Sequence, residues 1–254
     1  MATEKHSFSA ARRRGLYEAI FRRRDMREFL PDPIPEDKLA RVLIAAHHAA
    51  SVGFTQPWDF ILVRDLERRR RVKAVFEEAR ARNADQFSGE RRAKFLSLKL
   101  EGILEAPLNV IVTCEPDRFG PAVLGRVESR DVEIFSTCLA VENLWLAARA
   151  EGLGMGWVSI LRNDALHELF AIPAHIIPIA YLCLGYVKEF PARPVLESEG
   201  WLERLPPEDL IHFEQWSGDL DRRRQFTGLI ADPAIWRAIF PEGEPDSDPV
   251  EDSP

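Results

Sequence analysis

Apolar residues along this chain recur at two spacings: the three-to-four-residue step of a helix face, and short unbroken runs that suit buried strands. From Ser9 to Arg24 the pattern predicts a basic amphipathic helix with Leu16, Tyr17, Ile20 and Phe21 on one face. Leu30 to Pro35 carries three prolines and must be extended. The stretch Pro35 to Ala50 opens with proline and acidic residues, which favour a helix N-terminus. A short strand at Phe60 to Val63 precedes a charged helix from Leu66 to Arg82. A further helix is expected from Ser88 to Glu105, stopped by Pro107, and then a fully buried strand from Asn109 to Cys114.

The helix predicted from Val132 to Ala150 is apolar on nearly all sides, through Ile134, Phe135, Leu139, Val141, Leu144, Trp145 and Leu146. Such a helix lies at the centre of a domain or in a subunit interface. Gly152 caps it, Trp157 to Leu161 reads as a strand, Asp164 to Phe170 as a short helix, and Ile179 to Val187 as the last core strand. About four strands among more helix predict an α+β layered fold, a small mixed sheet flanked by helices. Residues 1–218 read as one domain and 219–254 as a peripheral extension. From Pro241 the chain is acidic and free of aromatics, and disorder is expected there.

Charge placement narrows the function classes. The formal net charge is −7, but the last fourteen residues hold six acidic groups and no basic one. Without them the charge is about −1, which argues against a nucleic-acid binder. At 254 residues the chain can build a full core without disulfide or metal staples. Its three cysteines, Cys114, Cys138 and Cys183, sit in apolar runs and read as buried, reduced thiols. With no apolar leader and no run of eighteen apolar residues, the expected location is the cytoplasm, away from any membrane.

Three constellations carry chemistry. Arg22 to Arg27 (RRRDMR) places arginines where a helix gives way to an extended segment. They can converge on a phosphate through bidentate hydrogen bonds, or form an ordinary solvated basic helix end. In Ser51 to Trp58 (SVGFTQPW), Gly53 permits close backbone approach while Ser51 and Gln56 offer hydrogen bonds. An ordinary turn with a structural tryptophan fits equally. Gly152 to Ser159 (GLGMGWVS) is not a Rossmann fingerprint, because a helix precedes its glycines and a strand follows. It is better read as a helix cap whose chain then runs flat against a ligand, with Ser159 facing it. His47 and His48 read as packing or hydrogen-bonding residues, and no metal site is expected.

In order and spacing, RRDMR, SVGFTQPW and GLGMGWVS resemble the nitroreductase-like flavoprotein superfamily, and within it the flavin-destructase branch. FSGER (87–91), LKLEG (98–102), NLWLAARAEG (143–152) and GWLERLP (200–206) extend the resemblance over about Tyr17 to Trp216. It implies an intertwined homodimer with FMN at the interface. Arg23, Arg24, Met26 and Arg27 then hold the cofactor, as do Ser51, Gly53, Gln56 and Ile160, with Arg91 and Arg204 as further contacts. Asp25 stands where ordinary nitroreductases carry serine, and becomes the candidate base, with Ser159 orienting or relaying. Reduced FMN, supplied by a separate flavin reductase, is bound and consumed with molecular oxygen. The implied products are 5,6-dimethylbenzimidazole, the lower base of cobalamin, and erythrose 4-phosphate. Two departures accompany the resemblance. The family's RRDxRxxFL stands here one residue shorter, as RRDMREFL, and Ala50 replaces a proline. An NAD(P)H-dependent nitroreductase or flavin reductase, and a non-catalytic flavin-binding protein, remain alternative readings.

Overall fold

The computed structural model of the chain describes residues 6–129 and 131–240, so the acidic segment from Pro241 lies outside the described residues. They form two compact units, residues 22–190 and the flanks 6–21 with 191–240.

The larger unit is built on four strands, β1 (Trp58–Val63), β2 (Leu108–Cys114), β3 (Gly154–Trp157) and β4 (Ile177–Gly185), in the order β1-β2-β4-β3. All three pairings are antiparallel. The α+β class holds, but the parallel component of the expected mixed sheet shrinks to one isolated bridge, Asp25 to Met155. β2 is central and buried along its whole length, which is why its sequence is a continuous apolar run without alternation. Leu108, Val110 and Val112 face one core, shared with Leu39, Val42, Val141 and Leu144. Those partners lie on α2 (Glu36–His47) and α5 (Val132–Ala150). Ile111 faces the opposite core with Val72 and Phe76 of α3 (Leu66–Ala84) and Leu166 of α6 (Asn163–Phe170). Each fully buried Val or Ile contributes about 1.5–3 kcal/mol relative to exposure. No helix of the described residues is long and apolar enough to cross a membrane.

Helix ends follow local chemistry. The Asp65 side chain accepts the Arg68 amide at 2.7 Å and caps α3. Gly152, at φ +76°, ends α5 in a Schellman turn, with Leu153 N–H donating to Ala148 O at 2.8 Å and Gly152 N–H to Arg149 O at 3.1 Å.

Two predicted elements shift. The helix expected to reach Glu105 is α4 (Gly89–Ser97), and Leu98 already has extended geometry. Residues 98–106 instead insert Leu98, Ile103 and Ala106 into the core. Basic side chains of α3 hold the backbone this leaves unpaired. Arg80 donates to Leu96 O at 2.6 Å and Leu98 O at 2.8 Å, and Arg69 to Ala106 O. Lys73 pairs with the buried Glu101, whose other oxygen accepts the Ile103 amide at 2.7 Å. The strand expected at Trp157 to Leu161 is Gly154–Trp157, shifted toward the glycines. A Cβ on Gly156 would stand 1.9 Å from Met26 O, and one on Gly154 3.0 Å from Met26 Cγ. The glycine run does lie flat against something, and that something is the chain's own segment at Met26.

In the smaller unit, Phe21 at the end of α1 (Ala10–Arg22) meets the rings of Trp236 at 5.4 Å and Phe240 at 5.7 Å. Trp236 belongs to α9 (Pro233–Ile239), which follows α7 (Val195–Ser198) and α8 (Leu220–Ile230).

Gly156→Ala is expected to destabilise the protein by about 1–3 kcal/mol or more, because backbone rather than a flexible side chain blocks the new methyl. Gly15→Ala, where nothing lies within 4 Å, should leave stability unchanged or raise it by up to about 1 kcal/mol. Urea unfolding midpoints of the two variants check both.

Candidate active site

Where α1 ends, α5 takes hold of the chain. Arg149 Nε donates to Arg22 O at 3.2 Å and Trp145 Nε1 to Arg24 O at 3.3 Å. These bonds, one helical turn apart on α5, fix the path of the arginine turn. The Arg23 guanidinium lies over the Trp145 ring, 5.0 Å from its centroid, and meets Glu142 at 3.5 Å. Arg24 Nη1 donates to Arg23 O at 2.9 Å. Met26 N–H then donates to Met155 O at 2.9 Å, stitching the turn to β3, and the Met26 side chain is buried beside Gly154.

Asp25 sits at the focus of this stitching. Its Oδ1 accepts the Trp157 amide at 2.9 Å and Arg27 Nη1 at 2.7 Å, while Oδ2 accepts Arg27 Nη2. Arg27 Nη2 also donates to Trp157 O at 3.0 Å. Both backbone groups of Trp157 are therefore held by one carboxylate–guanidinium pair. Burial pushes the Asp25 carboxyl above the ordinary carboxylate value. Arg27, the Trp157 amide and Arg23 pull against it without cancelling it. Even so, 41% of the Asp25 side chain stays open to solvent, so a proton can reach it. Ser159, two residues beyond Trp157, is exposed, and Ile160 packs partly buried on the second core.

The Ser51–Gln56 loop forms a second centre. Ser51 Oγ accepts the Gln56 amide at 3.1 Å, and Gln56 Nε2 donates to Phe54 O at 2.9 Å. The Val52 amide donates to Ser136 Oγ on α5 at 3.1 Å. Gly53 has φ +59°, and a Cβ there would lie 2.7 Å from Val123 Cγ1 and 2.8 Å from Leu124 O. The close approach that Gly53 permits is thus to the β2–α5 connection. That connection is tied down by Arg126, which pairs with the buried Glu133 of α5 at 2.6 Å. Glu133 Oε2 and Arg126 Nη2 have no hydrogen-bond partner among the described residues.

Arg91 is exposed on α4. In the smaller unit Arg204 is exposed in an apolar groove of about 590 Å³ that also involves Leu196, Leu202, Leu205 and Leu210. His47 Nδ1 accepts from Trp58 Nε1 at 3.3 Å, and His48 Nδ1 meets Ile44 O at 2.8 Å, so both hydrogen-bond as anticipated. Cys114 and Cys183 are buried and Cys138 partly so. Burial lifts the Cys183 thiol to about 12 and also raises the other two, which keeps all three protonated at neutral pH.

The motifs pointed to the arginine turn and the glycine run but missed what holds them: Trp145, Arg149 and Glu142 on α5, which grip the turn, and the backbone of Trp157, which joins the turn to the glycine run. The NLWLAAR stretch contains the first two, four residues apart, and that spacing was the available signal.

This donor set suits a flavin phosphate. Two guanidiniums share one turn, and the Arg23–Glu142 pair is loose, with side chains 37% and 46% exposed. The sequence profile of the nitroreductase family matches residues 20–186, and the chain belongs to that family. Among its relatives is the 5,6-dimethylbenzimidazole synthase of Rhodospirillum rubrum, 40% identical over 200 residues, covering 78% of this chain and 94% of that one. The enzyme of the same name from Rhodobacter capsulatus is 38% identical over 202 residues, covering 80% and 98%. Iodotyrosine deiodinase, in a crystal structure bound to FMN and 3-iodo-L-tyrosine, shares the fold with a TM-score of 0.62. It is 21% identical, over 79% of this chain and all of that one.

The buried Arg126–Glu133 pair yields a stability prediction. Arg126→Met strands a carboxylate that is 2% exposed and should cost about 3–5 kcal/mol. Adding Glu133→Leu should recover most of that loss. Urea unfolding of both variants measures it; equal losses in the single and double variants would mean the pair does not hold the connection.

Proposed function

We propose that this chain fragments reduced FMN, with molecular oxygen, to 5,6-dimethylbenzimidazole and erythrose 4-phosphate. The observation that carries the reading is the aspartate in RRDMR, held by hydrogen bonds against the Trp157 backbone of the GWVS motif. The identity to synthases over nearly their full length supports it. Bound as reduced FMN, the flavin supplies the electrons that reduce oxygen and the carbon skeleton of the benzimidazole.

The protein's tasks follow from its side chains. Arg23 and Arg24 take the phosphate, exchanging the loose Glu142 contact for a dianion, so the ribityl chain cannot swing away. Asp25 accepts a proton from a ribityl carbon; burial, which raises its affinity for protons above that of an exposed aspartate, suits that role. Ser159, exposed two residues beyond the Trp157 that Asp25 holds, orients the ribityl hydroxyls or relays the proton. Met26 backs the turn, and Ser51, Gly53, Gln56 and Ile160 flank the ring, with Arg91 closing over it. A separate flavin reductase supplies the reduced flavin, and the reaction takes place in the cytoplasm.

A homodimer is part of this reading. Phe135 and Leu139 of α5 lie four residues apart and are 58% and 50% exposed, an apolar stripe on the face turned away from the sheet. The loop tie at Ser136 and the turn tie at Trp145 are nine residues apart, about 13 Å along the helix. A second copy on the exposed stripe allows the two centres to serve one flavin from different chains.

Product analysis after external reduction of FMN and admission of oxygen tests the chemistry. Dimethylbenzimidazole absent from oxygen-free controls is the expected result; a flavin that merely reoxidises intact points instead to NAD(P)H-dependent reductase activity. Asp25→Asn should bind FMN normally yet form product about 100-fold or more slowly. Phe135→Glu with Leu139→Glu should give a monomer by analytical ultracentrifugation, with weakened FMN binding.

A further inference from the structure

The three arginines of the turn face different partners. Arg23 meets an exposed carboxylate and an indole face, and Arg24 Nη1 meets the turn's own backbone. Arg27 turns both terminal nitrogens onto Asp25, and its side chain is only 15% exposed. The remaining bonds of those nitrogens go to Trp157 O at 3.0 Å and Met26 O at 3.3 Å. A Cβ on Gly156 would stand 2.5 Å from Arg27 Nη1, so the missing side chain there is what lets the guanidinium lie flat on β3. A phosphate-binding arginine presents its fork outward to the ligand, whereas this one presents its fork to a carboxylate on its own segment.

We propose that Arg27 is the positioning residue for Asp25 and not a phosphate ligand, aiming the carboxylate beside the Trp157 amide. The proposal rests on the reading of Asp25 as the base. The charged groups acting on Asp25 are Arg27 and Arg23 from its own segment; β3 contributes the Trp157 amide, and Glu142 of α5 is turned toward Arg23. Burial favours the neutral acid, and Arg27 is the largest influence opposing it. Removing that positive charge makes ionisation harder, so the carboxylate must gain its proton at a higher pH. A cation of different shape restores the charge but not the two-pronged aim.

Two readouts that need no turnover test this. Flavin fluorescence gives the affinities for FMN and riboflavin, whose ratio reports the phosphate contact. Arg23→Gln should lower that preference about tenfold or more, while Arg27→Gln and Arg27→Lys should leave it within about threefold. Carboxyl-carbon NMR of aspartate-labelled protein follows Asp25 directly, its signal assigned by disappearance in Asp25→Asn. The Asp25 midpoint should rise by about one pH unit or more in Arg27→Gln and by less in Arg27→Lys. Loss of the FMN preference in either Arg27 variant would make Arg27 a phosphate ligand and overturn the proposal, as would an unmoved midpoint in Arg27→Gln. If the parent protein makes no benzimidazole, the reaction falls, but these readouts still decide whether Arg27 governs Asp25.

Discussion

The contact between the turn at Asp25–Arg27 and the glycine edge strand governs the site. Met26 donates its amide to Met155, its carbonyl lies where a Gly156 side chain would have to be, and the Asp25–Arg27 pair clasps both backbone groups of Trp157. Backbone polar groups demand partners when they leave water, and here each satisfies the other. The result places a carboxylate, a guanidinium and the approach to Ser159 on one short edge. Any side chain larger than hydrogen at Gly156 separates them.

Helix α5 carries this edge and the second centre together. Its inward side packs Val141 and Leu144 on the sheet, and its C-terminal half grips the arginine turn through Trp145 and Arg149. Its N-terminal half grips the Ser51–Gln56 loop through Ser136 and, through Glu133, the connection beneath Gly53. A helix that is apolar on nearly all sides thus has three distinct kinds of position. One side is core and its polar positions are clamps, while the stripe at Phe135 and Leu139 stays exposed to solvent. A buried carboxylate oxygen without a partner among the described residues, as at Glu133, is the kind of group whose desolvation costs stability.

The α3 helix solves a related problem on the other face of the sheet. Its charge pattern looks solvated, yet Arg69, Lys73 and Arg80 turn inward to the backbone and carboxylate of residues 98–106. Long basic side chains can bury their stems while their heads satisfy carbonyls. That arrangement brings Gly102 against the Phe29 ring and the Arg27 carbonyl, supporting the turn from behind.

Periodicity alone located α1 to α6 and the two central strands, because amphipathic spacing and unbroken apolar runs follow directly from burial, but it gave no sign of α7, α8 or α9. The extent of α5 was legible to the residue, and the motifs marked both halves of the site. Within the larger unit, three things were not legible. The helix after Ser88 stops early because cations sixteen or more residues away offer its backbone better partners, and a local pattern carries no sign of them. The edge strand starts at the glycines because the Met26 segment passes over them, a contact across some 130 residues. Arg27 reads like its two neighbours in sequence, and only the fold turns its fork onto Asp25. What the sequence determined by itself was therefore everything set by burial and local backbone preference, together with the kinds of groups available for chemistry. Which of those groups face one another was decided by tertiary structure alone, because long-range packing chooses the partner of each polar atom.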